Sequence, residues 1–184
     1  MILSLFRKDP ARSAAESLFE AAVEQSRRPE FYTALGVEDS VEGRFELMAL
    51  HVYLLLRRLK GAAGASRLSQ RLLDAMFANV DDALREMGVG DLSMGRKIRK
   101  MAESFYGRIG AYEAALAAPS DDALAAAIAR NVYGAERAAG VAALAGYVRR
   151  AVTMLDNQPA GRIESGIAQF PATVISTDPA EGAS

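Results

Sequence analysis

Apolar positions recur along this chain at the three- and four-residue spacing of helices, and glycines and prolines punctuate them. Asp9-Pro10 reads as an N-cap followed by proline at the first helical position, opening a helix to about Gln25. Pro29 opens a short helix through Leu35, with Gly36 as its stop. Further helices are predicted over 41–60, 67–87 (capped by Ser66), 94–117 (capped by Ser93), 119–131 and 135–155, with breaks at Gly61–Gly64 and Gly88-Val89-Gly90. In the last of them Val141, Leu144, Val148, Val152 and Leu155 share one face.

The 41–60 helix carries two apolar stripes. Phe45, Met48, Val52, Leu55 and Leu59 form one, and Leu47, Leu50 and Leu54 lie roughly opposite. A helix apolar on two sides belongs at the centre of its fold. The expectation is an all-α, compact bundle of about six or seven helices over residues 1–156. Phe45, Leu50, Val52, Leu55, Leu73, Phe77, Leu84, Phe105, Leu144 and Val148 are expected in its core. After Asn157-Gln158-Pro159 the periodicity fades, and 157–184 reads as a mobile tail in which Phe170, Val174 and Ile175 are candidates to dock.

Between the two stripes lie Arg44, His51 and Arg58, seven residues apart. Polar groups buried there need partners, because an unpaired buried charge costs several kcal/mol. Asp74 and Asp81 on the next helix have the same spacing. An antiparallel hairpin would pair His51 with Asp74 and Arg44 with Asp81, and would leave Arg58 facing Arg67 near the loop. Such pairs would be structural rather than catalytic.

Composition narrows the chemistry. Among 184 residues there is no cysteine and one histidine, which removes thiolate sites, disulfides and histidine-rich zinc sites. A formal charge of −1 argues against general capture of nucleic acid. The apolar start Met1–Phe6 is too short for a signal sequence, and its basic residues, Arg7 and Lys8, follow rather than precede it. The longest apolar run, Leu47 to Leu56, falls short of the roughly 20 residues a membrane span needs. The expected location is cytoplasmic, with the periphery of the inner membrane as a variant.

Asp81-Asp82 and Asp121-Asp122 invite comparison with the paired aspartates that hold magnesium and diphosphate. The first pair has the cation Arg85 where such a site needs its further carboxylate, and the second is followed by Ala123-Leu124-Ala125, so the plainer readings are a solvated or ion-paired face and helix-start charge. Gly88-Val89-Gly90 lacks the preceding strand and following lysine of a phosphate loop, and reads as a turn between helices. His51 reads as a satisfied core or interface histidine. No cofactor or metal is expected.

The segment from Ser93 to Tyr112 differs in kind. Arg96, Lys97, Arg99, Lys100 and Arg108 face few acidic residues, while Met94, Ile98, Met101, Phe105, Tyr106, Ile109 and Tyr112 make a broad apolar side. A solvated surface helix would look like this. So would a helix that serves an anionic partner or an adaptable apolar one.

The run from Asp81 through Leu84-Arg85-Glu86-Met87-Gly88-Val89-Gly90-Asp91-Leu92-Ser93, followed by Arg96-Lys97-Ile98-Arg99-Lys100-Met101 and Phe105-Tyr106-Gly107-Arg108, closely resembles the ubiquinol–cytochrome c chaperone family, alphaproteobacterial type. Gly43 to Glu46, Leu50-His51 and Gln70 to Phe77 are similar to it too, and the similarity covers about residues 10 to 155. The resemblance implies a non-enzymatic chaperone that binds newly made cytochrome b during assembly of the bc1 complex (complex III); a monomer is expected separately, because the amphipathic faces are enough to bury one another. In mitochondria a small partner protein and the ribosome exit are also involved. Gly88, Val89, Gly90, Asp91, Arg96, Lys97, Arg99, Lys100, Phe105, Tyr106 and Arg108 are the expected client- or partner-binding residues, with Phe105 the first candidate for core duty instead. The alternative is a peripheral-membrane or ribosome-associated adaptor using the basic amphipathic helix on phosphates. A helical enzyme acting on isoprenoid-like substrates is a third possibility that the residue inventory disfavours.

Overall fold

The computed structural model describes residues 9–61, 65–135 and 138–173, apart from the side chains of Asp91 and Leu92. The hexapeptide Met1–Phe6 and the pair Val174-Ile175 lie outside the described residues.

Six helices of 11 to 27 residues build the molecule: α1 (Pro10–Ser26), α3 (Val41–Leu59), α4 (Ala65–Glu86), α5 (Asp91–Ala117), α6 (Asp122–Val132) and α7 (Val141–Asn157). Two single-turn pieces, α2 (Glu30–Thr33) and α8 (Ala160–Glu164), complete it. The expected all-α bundle is what forms. The Asp9 carboxylate accepts from the Ala11 amide at 3.2 Å to cap α1, and Ser40 accepts from Gly43 at 3.1 Å to cap α3. Four predicted starts shift. Helix α4 begins at Ala65, so Ser66 lies inside it instead of capping it, and α6 begins at Asp122, after Pro119. Helix α5 begins at Asp91 with Gly90 as its cap, so Ser93 lies inside the first turn and donates to the Gly90 carbonyl.

Helix α7 begins at Val141, not near Ala135. A Cβ at Gly140 would run into the Leu35 carbonyl and the Tyr133 hydroxyl. The chain makes a close crossing there, and Tyr133 donates to that same carbonyl at 2.8 Å. A helix from 135 onward would forfeit this contact.

Helix α3 is central. Every residue from Leu47 to Leu55 is buried, enclosed by α1, α4, α6 and α7. Of the expected core, Leu50, Val52, Leu55, Leu84, Phe105, Leu144 and Val148 are buried, while Phe45, Leu73 and Phe77 are half-buried against its edge.

The polar line on α3 does not pair with α4. His51 lies against Tyr147 of α7, Arg44 bonds Asp39 at 2.6 Å, and Arg58 donates to the carbonyls of Leu155 and Gln158. Asp74 accepts from Gln70 and Asp81 from Arg85, each within α4. The reason is packing: α4 lies chiefly along α1, in the same direction, so His51 and Arg58 turn to α7 while Arg44 is held locally by Asp39. Asp9 at the start of α1 meets Arg67 and Arg71 at the start of α4, at 3.0 and 3.3 Å.

The segment after Asn157 is not loose as far as Thr173. Ile163 is buried, and the Gln158 side chain both accepts from the Gln169 amide (2.9 Å) and donates to its carbonyl (2.8 Å). Gln25 donates to the Pro171 carbonyl, Arg150 donates to that of Thr173, and Phe170 meets the His51 ring edge-on. The expected tail boundary at 157 is therefore too early: a strap from 158 to 173 is part of the bundle.

Candidate partner-binding groove

Helix α4 ends in a Schellman turn. The Val89 amide donates to the Leu84 carbonyl at 3.0 Å and the Gly88 amide to that of Arg85 at 2.9 Å, with Gly88 at φ +78°. Such a turn needs a left-handed residue, which glycine supplies without a steric cost. It lays Val89 back against the core and launches α5 at once from Gly90.

This geometry opens a groove of about 720 Å³ between the ends of α1 and α4 and the starts of α3 and α5. Its floor and sides include Val23, Phe45, Met48, Leu84, Val89 and Met101. Two of the most exposed large apolar residues in the molecule stand on it, Val41 (58% exposed) and Met87 (52%). Arg27, Glu42, Arg44, Glu46 and Lys97 supply its charge. Two of these five are engaged elsewhere, Arg44 with Asp39 and Glu46 with Arg108.

The expected client-binding residues divide. Val89 and Lys97 line the groove, and Gly88 and Gly90 form the turn beside it. Arg96, Arg99 and Lys100 are exposed on α5 without lining it, and make no ion pair among the described residues. Tyr106 is 56% exposed. Phe105, at 1% exposure, is a core residue stacked edge-on against Phe77, so it offers nothing to a partner on the folded surface. Arg108 is spent on Glu46, and both side chains are largely covered. The side chain of Asp91 lies outside the described residues.

Sequence reasoning missed Val23, Val41, Phe45 and Met48 as groove residues, because α1 and α3, far in sequence from the turn and α5, supply them, and Phe45 and Met48 read locally as core stripe. Met87 beside the glycines was the available signal.

Burial raises the Glu46 carboxyl above its ordinary range, against the opposing pull of the Arg108 guanidinium. The histidine is fully committed. Its Nδ1 lies 2.7 Å from the Leu47 carbonyl and its Nε2 2.7 Å from the Tyr147 hydroxyl, and burial pushes its pKa down to about 4. Among the described residues no group of three or more acidic, histidine or cysteine side chains is placed to hold a metal, and no helix is long and apolar enough to cross a membrane.

Residues 33–170, which include the turn and all of α5, match the family described as ubiquinol-cytochrome C chaperone. The chain belongs to that family. It is a family of chaperones, not of enzymes. The ubiquinol-cytochrome-c reductase complex assembly factor 1 of Xenopus laevis is 27% identical over 154 residues, covering 82% of this chain and 76% of that protein. The human assembly factor of that name is 26% identical over 155 residues, 83% of this chain but 52% of its own length, so the chain spans about half of it. The crystal structure of the Cbp3 homolog from Brucella abortus is similar with a TM-score of 0.83 at 34% identity, over 94% of this chain and 98% of that one.

Proposed function

We propose that this protein is an assembly chaperone that binds newly made cytochrome b during biogenesis of the ubiquinol–cytochrome c reductase complex. The observation that carries the reading is family membership across three quarters of the chain, together with relatives that are assembly factors for that complex. The physical features suit the task. A client with several membrane spans exposes apolar segments before its partners arrive, and a recessed, methionine-lined groove offers adaptable apolar contact. The exposed cations Arg96, Lys97, Arg99 and Lys100 suit polar loops of the client or anionic headgroups beside it. The protein acts as a monomer in the cytoplasm, at the inner face of the membrane that receives the client, and takes no cofactor.

A pull-down from the native membrane fraction with the full chain tests this. Enrichment of cytochrome b over other membrane proteins of similar abundance is the expected result; recovery no better than theirs overturns it.

The four cations, which make no ion pair among the described residues, also favour a second reading, an adaptor that binds phosphates of lipid or ribosome. Salt separates the two. Phosphate binding weakens steeply between low and physiological ionic strength, whereas apolar capture weakens little.

A further inference from the structure

The groove has unlike walls. On one side α5 brings Lys97 to the lining, with the exposed Arg96, Arg99 and Lys100 beside it on the same helix and no acidic residue among them; on the other, the start of α3 brings Glu42 together with Arg44, which Asp39 neutralises, and the end of α1 brings Arg27. Between them the floor is apolar and recessed, with Met48 and Leu84 buried, while Val41 and Met87 stand exposed at its margin. We propose that this groove seats one amphipathic helical segment of a protein partner, with acidic residues along the flank that faces α5. The proposal rests on the chaperone reading in taking the occupant to be protein.

The space itself favours that occupant. A volume of about 720 Å³ takes several anchoring side chains rather than a whole helix about 10 Å across. Anchors at i, i+3, i+4 and i+7 of a helix lying over the opening fill such a groove, and methionines re-pack around them. A bilayer surface fits poorly, because most of the apolar lining, Met48 and Leu84 included, is sunk between helices and only Val41 and Met87 stand out at the margin. The α5 side adds orientation: acids of the occupant meet Lys97 and its neighbours, whereas the mixed charges of Arg27, Glu42 and Arg44 opposite leave the other flank neutral.

The test uses the full chain with methyl-labelled methionines. The probe is a synthetic amphipathic helix with a leucine face flanked on one side by glutamates, and its copy with lysines in their place. The glutamate peptide should move the methyl signals of Met48, Met87 and Met101 and leave Met154, on α7, unmoved. It should bind at least ~10-fold more tightly than the lysine copy, and Met87→Glu should weaken it ~10-fold without unfolding a protein in which Met87 is exposed. Reversing Lys97, Arg99 and Lys100 to glutamate should invert the preference between the two peptides. Equal binding of both peptides, shifts centred on Met154, or anionic phospholipid vesicles that move the same three methyls as strongly would each overturn the proposal. The client separates the two readings. Cytochrome b recovered equally by wild type and Met87→Glu overturns the groove as its seat and leaves the chaperone reading standing. Peptide binding as expected, with no cytochrome b enriched by either protein, supports the groove and overturns the chaperone reading alone.

Discussion

The Nε2 atom of His51 lies 2.7 Å from the hydroxyl of Tyr147, deep between α3 and α7. Because Nδ1 sits 2.7 Å from the Leu47 carbonyl, the ring proton belongs there, and Nε2 accepts from the tyrosine. Phe31 and Phe170 close the site edge-on. The site holds a neutral imidazole of one tautomer.

A pH dependence follows. Burial lowers the folded pKa from 6.5 to about 4, so between those values the unfolded chain takes up a proton that the folded one refuses. The contribution is absent above pH 6.5 and costs up to about 3 kcal/mol as pH falls to 4. The double variant His51→Leu, Tyr147→Phe removes both polar groups and should lose less stability than wild type between pH 7.5 and 4.5 in urea titrations. Equal losses would show that His51 is protonated at little cost in the folded state.

Tyr147→Phe alone should be worse than the pair at neutral pH. It leaves a buried ring nitrogen without a donor, a penalty of about 1–3 kcal/mol that replacing both groups avoids. Midpoints of urea unfolding at pH 7.5 decide it: a single variant at least as stable as the double contradicts the bond.

Glu46 and Arg108 make a further covered polar contact between distant elements, α3 to α5. Arg108→Met should cost about 2–3 kcal/mol at pH 7.5, because it strands a carboxylate that burial already disfavours. The sign with pH is opposite to that of His51. A raised carboxyl pKa means the folded state holds its proton longer, so stability is lost as pH rises through the folded value. The difference between variant and wild type should therefore shrink towards pH 5, and a constant difference would mean Glu46 is well solvated.

Much of this fold was legible because α3 carries two stripes and only a central position buries both. The caps at Asp9 and Pro29 and the glycine stop at Gly36 were equally local, and they hold. The partners of Arg44, His51 and Arg58 were not legible. Equal seven-residue spacing on α3 and α4 allowed a pairing, but the packing of α4 on α1 decided which faces met. The strap was hidden for another reason. It is held by side-chain amides of Gln25 and Gln158 on backbone groups, and by the single residues Ile163 and Phe170, none of which leaves a period. The groove was half visible: its turn and Lys97 stand out in sequence, whereas Val23, Val41 and Phe45 become neighbours only on folding.

Phe170→Ala should free the strap without unfolding the bundle. The ring is half-buried on His51, so its loss should cost about 1–2 kcal/mol, less than the roughly 3–5 of a fully buried phenylalanine. Hydrogen exchange should quicken at the amide of Gln169, which bonds Gln158, while α3 and α7 keep their protection. Uniform loss of protection would mean the strap is integral to global stability.

The last prediction concerns the basic wall. Arg96, Lys97 and Arg99 are exposed and free of ion pairs among the described residues, so reversing all three to glutamate removes no intramolecular partner. Exposed substitutions of this kind cost about 0.5 kcal/mol each or less. The triple variant should fold with an unchanged helical spectrum and a midpoint close to wild type. Its recovery of cytochrome b from membranes should fall several-fold, with most of the loss in the association rate, because rim charges act chiefly by steering. Adding salt to wild type should reproduce part of that loss, and adding it to the variant should not deepen it. If the reversed protein recovers the client as well as wild type does at low salt, the wall is merely solvated and binding energy comes from the apolar groove alone. If it unfolds instead, these cations hold α5 in place through contacts that exposure does not reveal, and the surface assignment falls with them.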